Sequence, residues 1–338
     1  MNLASPGLLT IAIPTFDRNE QLARTVAALL PQLRAGVNLV IRDNASPVPV
    51  AATLEALIAG RSDVCVVRNV CNIGGGANVL RCLEVCETEW LWILGDDDTP
   101  LPGAVACILA DIEAADDGLV GVNYRCELYD RREVRELRGA DDFLARADSL
   151  SNLLLLSATV VRAPRLKPRL RLAYAYMSSW ISHLAALLFS LGENGRVRLS
   201  MERIVRWEPP DLAASWSMIG AALAFSTAAD LPLTQRQRDM LMARMEADIQ
   251  PELLGLARQL LASACQSGDG AGARWTWRQI RYRRFGGRLR SARAWLAWGL
   301  GWLFVAPRLT RPVVEAFARW RLGDQAGRNV LQDPMKRI

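Results

Sequence analysis

From residue 7 to 124 the chain alternates short apolar runs with stretches of helical periodicity, and this limits the fold more than any other feature. "GLLTIAIPTF" (7–16), "VNLVIRDNAS" (37–46), "DVCVVRN" (63–69), "EWLWILG" (89–95) and "GLVGVNY" (118–124) are β-rich runs of strand length. Between them, 19–33, 52–60, 74–86 and 101–115 carry apolar residues at helical spacing. Gly60 closes one of these helices, and Pro102 sits in the first turn of another. Strands alternating with helices of about 10–15 residues build βαβ units, so a mainly parallel α/β sheet is expected. In such sheets ligands collect beyond the carboxyl ends of the strands. Five segments fall there: 14–16, 43–46, 69–72, 96–98 and 123–125.

After 125 the pattern loosens. "CELYDRREVREL" (126–137) suits a hairpin, 151–161 a strand, 177–192 a helix and 197–207 a short strand pair, and from about 212 the sequence reads as helical. The apolar fraction, 51% of 338 residues, suffices for one large core or two ordinary ones. The first residues lack the basic region and long apolar run of a signal peptide, and no uninterrupted apolar stretch reaches about 18 residues. The seven cysteines are odd in number and contain no CxxC, so reduced core thiols in a cytoplasmic protein are expected, although Cys82 and Cys86 share a helix face.

The chemistry starts with "EWLWILGDDDTPLPG" (89–103), where an apolar strand runs into three consecutive aspartates. One acid is explained by capping of the next helix, through Asp98 or Thr99, but three are not. Carboxylates one residue apart at a strand end suit a divalent cation of the Mg²⁺ or Mn²⁺ type that already holds a diphosphate. Asp43, ending the second strand in "RDNAS", fits either an Asx turn or an acceptor for a nucleobase or ribose. "NIGGGANVLR" (72–81) is glycine-rich at a helix start, but it is not GxGxxG and follows the third strand, so a dinucleotide fingerprint fits poorly. It is either a tight turn or a close backbone approach to a ligand, with Asn78 and Arg81 in the first helical turns.

Together, "TIAIPTFDRNEQL", "VIRDNAS", "NIGGGANVLRCLE" and "WLWILGDDDTPLPGAV" resemble the successive motifs of family 2 glycosyltransferases with the GT-A fold, over roughly residues 8–125. The resemblance implies a GT-A-like, mainly parallel sheet flanked by helices, followed by a helical basic C-terminal region. It implies that Pro14, Thr15, Phe16 and Arg18 contact the nucleotide and that Asp43 binds the base. Asn72, Gly74, Asn78 and Arg81 would belong to the donor loop. Asp96 and Asp98 would be the DxD pair, with Asp96 on ribose or sugar hydroxyls as well as the metal, and Asp97 between them as a catalytic candidate. It further implies an inverting, metal-dependent transfer from a nucleoside-diphosphate sugar, with Mg²⁺ or Mn²⁺ neutralising the leaving diphosphate.

Inversion needs a general base. Many members of that family place a Glu-Asp pair at the start of a helix; here Ser178 and Ser179 stand in the comparable place. His183, the only histidine, follows one turn later and is either the base or a packed core side chain, with Glu202, Glu208 and Asp211 as rivals.

The chain is expected to divide into a nucleotide-sugar-binding domain (1–210), a helical extension (211–270) and a basic, Trp-rich region (271–338). Residues 270–338 hold 15 Lys and Arg against three acidic residues, a net of +12 within a whole-chain charge of +6. Trp295, Trp298 and Trp302 recur at i, i+3 and i+7 inside an apolar segment (294–306) too short to span a bilayer. A helix on an anionic membrane surface is favoured over plain packing, and nucleic acid over neither. The expectation is a peripheral enzyme on the inner face of the plasma membrane, acting on a glycan or a lipid-linked acceptor. A non-catalytic binding protein on the same fold and a membrane-tethered scaffold are the alternatives.

Overall fold

The computed structural model describes residues 7–126, 131–207, 223–248, 253–285 and 292–316. The chain forms two compact units, Met1–Pro209 and Pro210–Ile338.

In the first unit, β1 (Leu9–Thr15), β2 (Val37–Asp43), β3 (Val64–Arg68), β4 (Trp90–Ile93), β5 (Thr99–Pro100) and β6 (Leu119–Asn123) alternate with α1 (Asn19–Leu29), α2 (Val50–Ile58), α3 (Gly75–Glu84) and α4 (Ala104–Glu113). Four further strands follow: β7 (Arg135–Arg138), β8 (Thr159–Arg162), β9 (Arg196–Leu199) and β10 (Val205–Arg206). The main sheet has the order β3-β2-β1-β4-β8-β6-β9-β7. β7 and β8 run against the other six strands. β2 is closed to solvent along its whole length and β1 everywhere except Pro14, as unbroken apolar runs require in a sheet covered on both faces. Ile11, Ile13, Leu39, Ile41, Trp90 and Trp92 meet Leu22, Val26, Leu54, Val105 and Ile108 of α1, α2 and α4 in one core. Each such side chain contributes roughly 1.5–3 kcal/mol on burial.

The 151–161 segment is not one strand. Ser149 caps a short helix, α5 (Leu150–Leu154), by accepting the Asn152 N–H at 3.3 Å, and only Thr159–Arg162 pairs, antiparallel between β4 and β6. The Asn152 amide secures this turn through bonds to Asn123 Oδ1 (2.7 Å) and the Tyr124 carbonyl (2.8 Å). The expected helix 177–192 begins only at Ser182, as α6 (Ser182–Leu191), because Trp180 is left-handed at φ 60°. The expected strand pair in 197–207 is split between two sheets: β9 joins the main sheet and β10 pairs with β5. In 126–137, β7 pairs with β9, and residues 127–130 lie outside the described residues.

In the second unit, α7 (Gln235–Asp248), α8 (Leu253–Ser267), α9 (Gly270–Phe285) and α10 (Ala292–Leu300) precede a 3₁₀ turn (Gly301–Val305) and a helix over 307–316. Leu256, Leu260, Trp277, Ile280, Ala297, Phe304 and Val314 share one core, so α8, before the change in charge at 270, packs with the helices after it. The Trp277 indole donates to the Ala297 carbonyl at 2.8 Å, and its ring lies 5.5 Å from that of Phe304. Among the described residues no helix is long and apolar enough to cross a membrane. All seven cysteines are free thiols, and burial pushes the Cys82 thiol up to about 12, which leaves it a poor metal ligand.

Candidate active site

β2 and β3 lie on one side of β1 and β4 on the other, so the strand order reverses between β1 and β4. At such a switch point of an open parallel sheet, ligand crevices form beyond the carboxyl ends of the strands. Thr15 ends β1, Asp96–Asp98 follow β4, and the Thr15 hydroxyl crosses the gap to donate to Asp96 Oδ2 at 2.7 Å.

The three acids adopt three roles. Asp96 is 7% exposed and also accepts from the Arg18 guanidinium at 3.2 Å. Burial pushes its carboxyl up to about 6; Asp97 adds to the rise while Thr15 and Arg18 oppose it. Asp97 is partly exposed and pairs with the same Arg18 nitrogen. Asp98, 4% exposed, accepts from the Ser157 hydroxyl, which itself accepts the Gly95 N–H at 2.8 Å. The Asp96 and Asp98 carbonyls both accept from Thr25, at 3.1 and 2.9 Å. A Cβ at Gly95 would sit 2.8 Å from Asp98 Oδ2, so a side chain there would displace the Asp98 carboxylate. Arg18 is therefore a positive partner for two of the three acids.

Asp43 is 1% exposed and forms the second polar centre. Burial works to raise its carboxyl, but the Ser46 N–H at 2.8 Å and the Arg68 guanidinium outweigh it and hold the group below the usual carboxylate range. Arg68 also donates to the Ser46 carbonyl at 2.7 Å, and Ser46 Oγ accepts the Asp17 N–H at 3.0 Å. Asp17 (φ 55°) and Ala45 (φ 62°) are left-handed, one after each of β1 and β2. Such backbone costs about 1–3 kcal/mol and clusters at functional sites.

The glycine-rich loop rests on a lattice of asparagine amides. Asn44 donates to Asn72 (2.8 Å), and Asn69 donates to both Asn44 and Asn78 (2.9 Å each). Asn78 is buried and donates to the Arg42 carbonyl at 3.0 Å, so it anchors the loop and does not present its amide to a ligand. Asn72 and Gly74 remain exposed, with the Gly74 N–H bonded to Asn72 Oδ1 at 2.8 Å. Gly76 serves packing: a Cβ there would lie 3.1 Å from the Met177 carbonyl. Arg81 lies on the helix surface and pairs with Glu84 at 3.3 Å. Phe16 (41% exposed) after β1, Val48 after β2, and Val70 and Ile73 after β3 give the same strand ends an apolar fringe; Pro14 is half-buried within β1.

His183 is not brought to the acids. Its ring lines a small apolar cavity with Leu80, Leu91, Ile93, Leu153 and Leu187, on the sheet face opposite the Trp92 core, and Nε2–H donates to the Leu154 carbonyl at 3.1 Å. Burial lowers its pKa to about 4, against the pull of that carbonyl. Among the rival bases, Glu202 is exposed, its carbonyl accepts the Arg125 N–H at 2.9 Å, and two residues on Ile204 accepts the Leu101 N–H at 2.9 Å. That ties the Glu202 chain to the loop after the acids. Glu208 and Asp211 lie outside the described residues. Ser178 is exposed, and Ser179 is buried with its hydroxyl on the Tyr176 carbonyl at 2.6 Å.

The His183 environment predicts an acid sensitivity. Its folded pKa lies below the unfolded value of about 6.5, so the unfolded chain binds the extra proton between about pH 6.5 and 4. This contribution is fully present above about pH 6.5 and is lost as pH falls, by up to about 3 kcal/mol. His183→Gln is expected to flatten that part of the urea-stability profile while leaving turnover near normal. An unchanged profile, or lost turnover in a folded variant, would contradict this placement.

Sequence reasoning missed Ser157, Thr25 and Arg68. Each carries a side chain that any surface would tolerate, and only the fold aims it at an acid. Asp96 and Asp98 supply hard carboxylate oxygens, and no group of three or more His, Cys, Asp or Glu converges for a metal among the described residues. Two carboxylates fit Mg²⁺ or Mn²⁺, which take one or two protein carboxylates and fill the remaining positions with water and substrate phosphates.

The family described as Glycosyl transferase family 2 matches residues 10–164. No protein with a curated description matches the chain. Among solved structures, residues 1–349 of S. aureus TarS in complex with UDP-GlcNAc are similar at a TM-score of 0.56 and 10% identity, covering 93% of this chain and 92% of that one. The same TarS segment solved without a named ligand gives 0.52 at 10% identity, covering 94% and 92%. Its complex with UDP gives 0.50 at 10% identity, with the same coverage. At such identities the likeness is one of fold.

Proposed function

We propose that this enzyme, a glycosyltransferase whose residues 10–164 form a family 2 domain on the GT-A fold, moves one sugar with inversion from a nucleoside-diphosphate sugar to a hydroxyl of a glycan or polyprenyl-diphosphate-linked glycan. The process would be cell-surface polysaccharide synthesis. The observation that carries this reading is the pairing of Thr15 with buried Asp96 across the β1/β4 crevice, beside a separately held Asp43. A desolvated acid pair and a fixed acceptor at adjacent strand ends suit the two halves of such a donor, its diphosphate and its nucleoside.

Asp43 would accept from the base, and exposed Phe16 offers a face for stacking it. Asp96 and Asp98 would hold a divalent cation, which when bound neutralises charge developing on the leaving diphosphate. Arg18, already paired with Asp96 and Asp97, is a second cation within reach of a bound diphosphate and suits it by its forked donors. Exposed Glu202 is the proposed acceptor of the hydroxyl proton, its chain being joined to the acidic loop.

The direct test is thermal unfolding of the full chain with UDP-, GDP-, dTDP- and CDP-sugars, with and without Mn²⁺. UDP-GlcNAc heads the panel, since the fold neighbour TarS is solved with it. One base is expected to raise the midpoint in a Mn²⁺-dependent way, by about 2.7 kcal/mol of stabilisation at a hundredfold excess over Kd. No shift with any nucleotide, and no donor turnover with any glycan acceptor, would remove the proposal.

A further inference from the structure

The second unit uses its tryptophans in two opposite ways. Trp277 and Phe304 are sealed in its core, and Ala294 and Ala297 turn the inner side of α10 toward that core. Trp295, Trp298 and Trp302, on the other side of the same segment, are 54, 42 and 62% exposed. They stack edge to face in a row, with centroids 6.0 and 5.9 Å apart, so the rings form one ordered strip. Leu296, Val305, Leu309 and Val313 extend the exposed apolar surface. A contiguous apolar strip of this kind marks an interaction site on a protein surface.

The charge of the same chain segment selects the partner. Residues 270–338 carry a net of +12, and Arg308 is exposed between Val305 and Leu309 within the strip's own stretch of chain. We propose that this face is an interfacial insertion surface for an anionic lipid bilayer, with the indoles seated at headgroup depth and the arginines on lipid phosphates. The proposal deepens the function above, because a lipid-linked acceptor is found only at such a surface. Indoles suit that depth, having an apolar body and one N–H that stays hydrated. None of the described helices is long and apolar enough to cross a bilayer, so the proposed contact is with its surface. Arginine on this surface both attracts anionic headgroups and grips their phosphates with two donors. A second copy of this chain would bring the same positive charge against itself, and the charge argues against that occupant.

The experiment is sedimentation of the full chain with vesicles of phosphatidylcholine alone and of phosphatidylcholine with about a third phosphatidylglycerol, read together with tryptophan emission. Binding is expected only to the anionic vesicles, with a blue shift, and should fall at least fivefold when salt is raised from about 0.05 to 0.5 M. Trp295→Ser, Trp298→Ser and Trp302→Ser combined should weaken vesicle binding at least tenfold. Their exposed positions should leave the thermal midpoint and the nucleotide-induced shift unchanged. Arg308→Glu with Arg311→Glu should remove the preference for anionic lipid, and it serves as the second variant if the triple one does not fold. The proposal is overturned if the wild-type chain sediments with neither vesicle or prefers an oligonucleotide. It is also overturned if light scattering shows a dimer that the triple variant dissolves, or if the folded triple variant binds as before. These readouts need no donor and no turnover, so they stand or fall separately from the catalytic reading.

Discussion

Asp96→Asn is expected to abolish Mn²⁺-dependent stabilisation by the donor nucleotide and to lower turnover by about 10²–10³-fold, the usual consequence of removing one charge-stabilising group from a transition state. The substitution keeps the shape and leaves an oxygen for the Thr15 hydroxyl, so the crevice should stay closed in the same way. What it removes is a buried negative charge that a divalent cation and Arg18 would share. Because burial makes that charge costly in the free protein, the Asn variant should unfold at the same or a slightly higher urea concentration while losing its chemistry. Glu202→Gln is the contrast: donor stabilisation should persist, and turnover alone should fall by about 10²–10⁴-fold, the range of general-base catalysis. Isothermal titration with the nucleotide, beside initial rates, separates the two. Full donor affinity and turnover in Asp96→Asn would end the assignment of the acid pair to the donor.

Arg131→Met should destabilise the first unit by about 3–5 kcal/mol without touching Asp43, Asp96 or Asp98. Arg131 and Asp148 are 2 and 4% exposed at their side chains, with Nε 2.7 Å from Asp148 Oδ2. The rest of the guanidinium donates to the Asn123 carbonyl (2.6 Å), the Asn123 side chain (2.6 Å) and the Ser200 carbonyl (2.8 Å). It therefore ties the ends of β6 and β9 together from inside. Truncation strands the Asp148 charge and leaves two carbonyls without that partner, and each is expensive in a low-dielectric interior. Replacing Asp148 by Leu as well should recover part of the loss, since a missing pair costs less than half a pair. Urea denaturation measures both, and a single-variant loss below about 1 kcal/mol would show that water reaches the pair.

Five of the six strands up to 123 were legible because apolar runs of strand length stand out, most of all where both faces are covered, and helices with one covered side must repeat at about 3.6 residues; β5, two residues long, was not legible. The acids at 96–98 and Asp43 were legible as chemistry for the same local reason, being charges where an apolar run stops. The 151–161 segment was not legible. "SNLLLLSATVV" is as apolar as any strand, and the Ser149 cap with the Asn152 bonds to Asn123 and Tyr124 turns its first half into helix. His183 shows the same limit at a side chain, since periodicity gives a helix face and says nothing of whether that face meets a cleft or a cavity.

By itself, then, the sequence determined an α/β sheet, the strand ends where the acids stand, and a basic tryptophan-bearing C-terminal region, because all three are properties of neighbours along the chain. Only the tertiary structure decided that Arg18 and Thr15 meet Asp96, that Ser157 meets Asp98, and that Trp277 is buried while Trp295, Trp298 and Trp302 are not. The Thr15, Arg18 and Ser157 contacts join residues 81, 78 and 59 positions apart, respectively. They depend on strand order, and the alternation of strand and helix is the same for many strand orders.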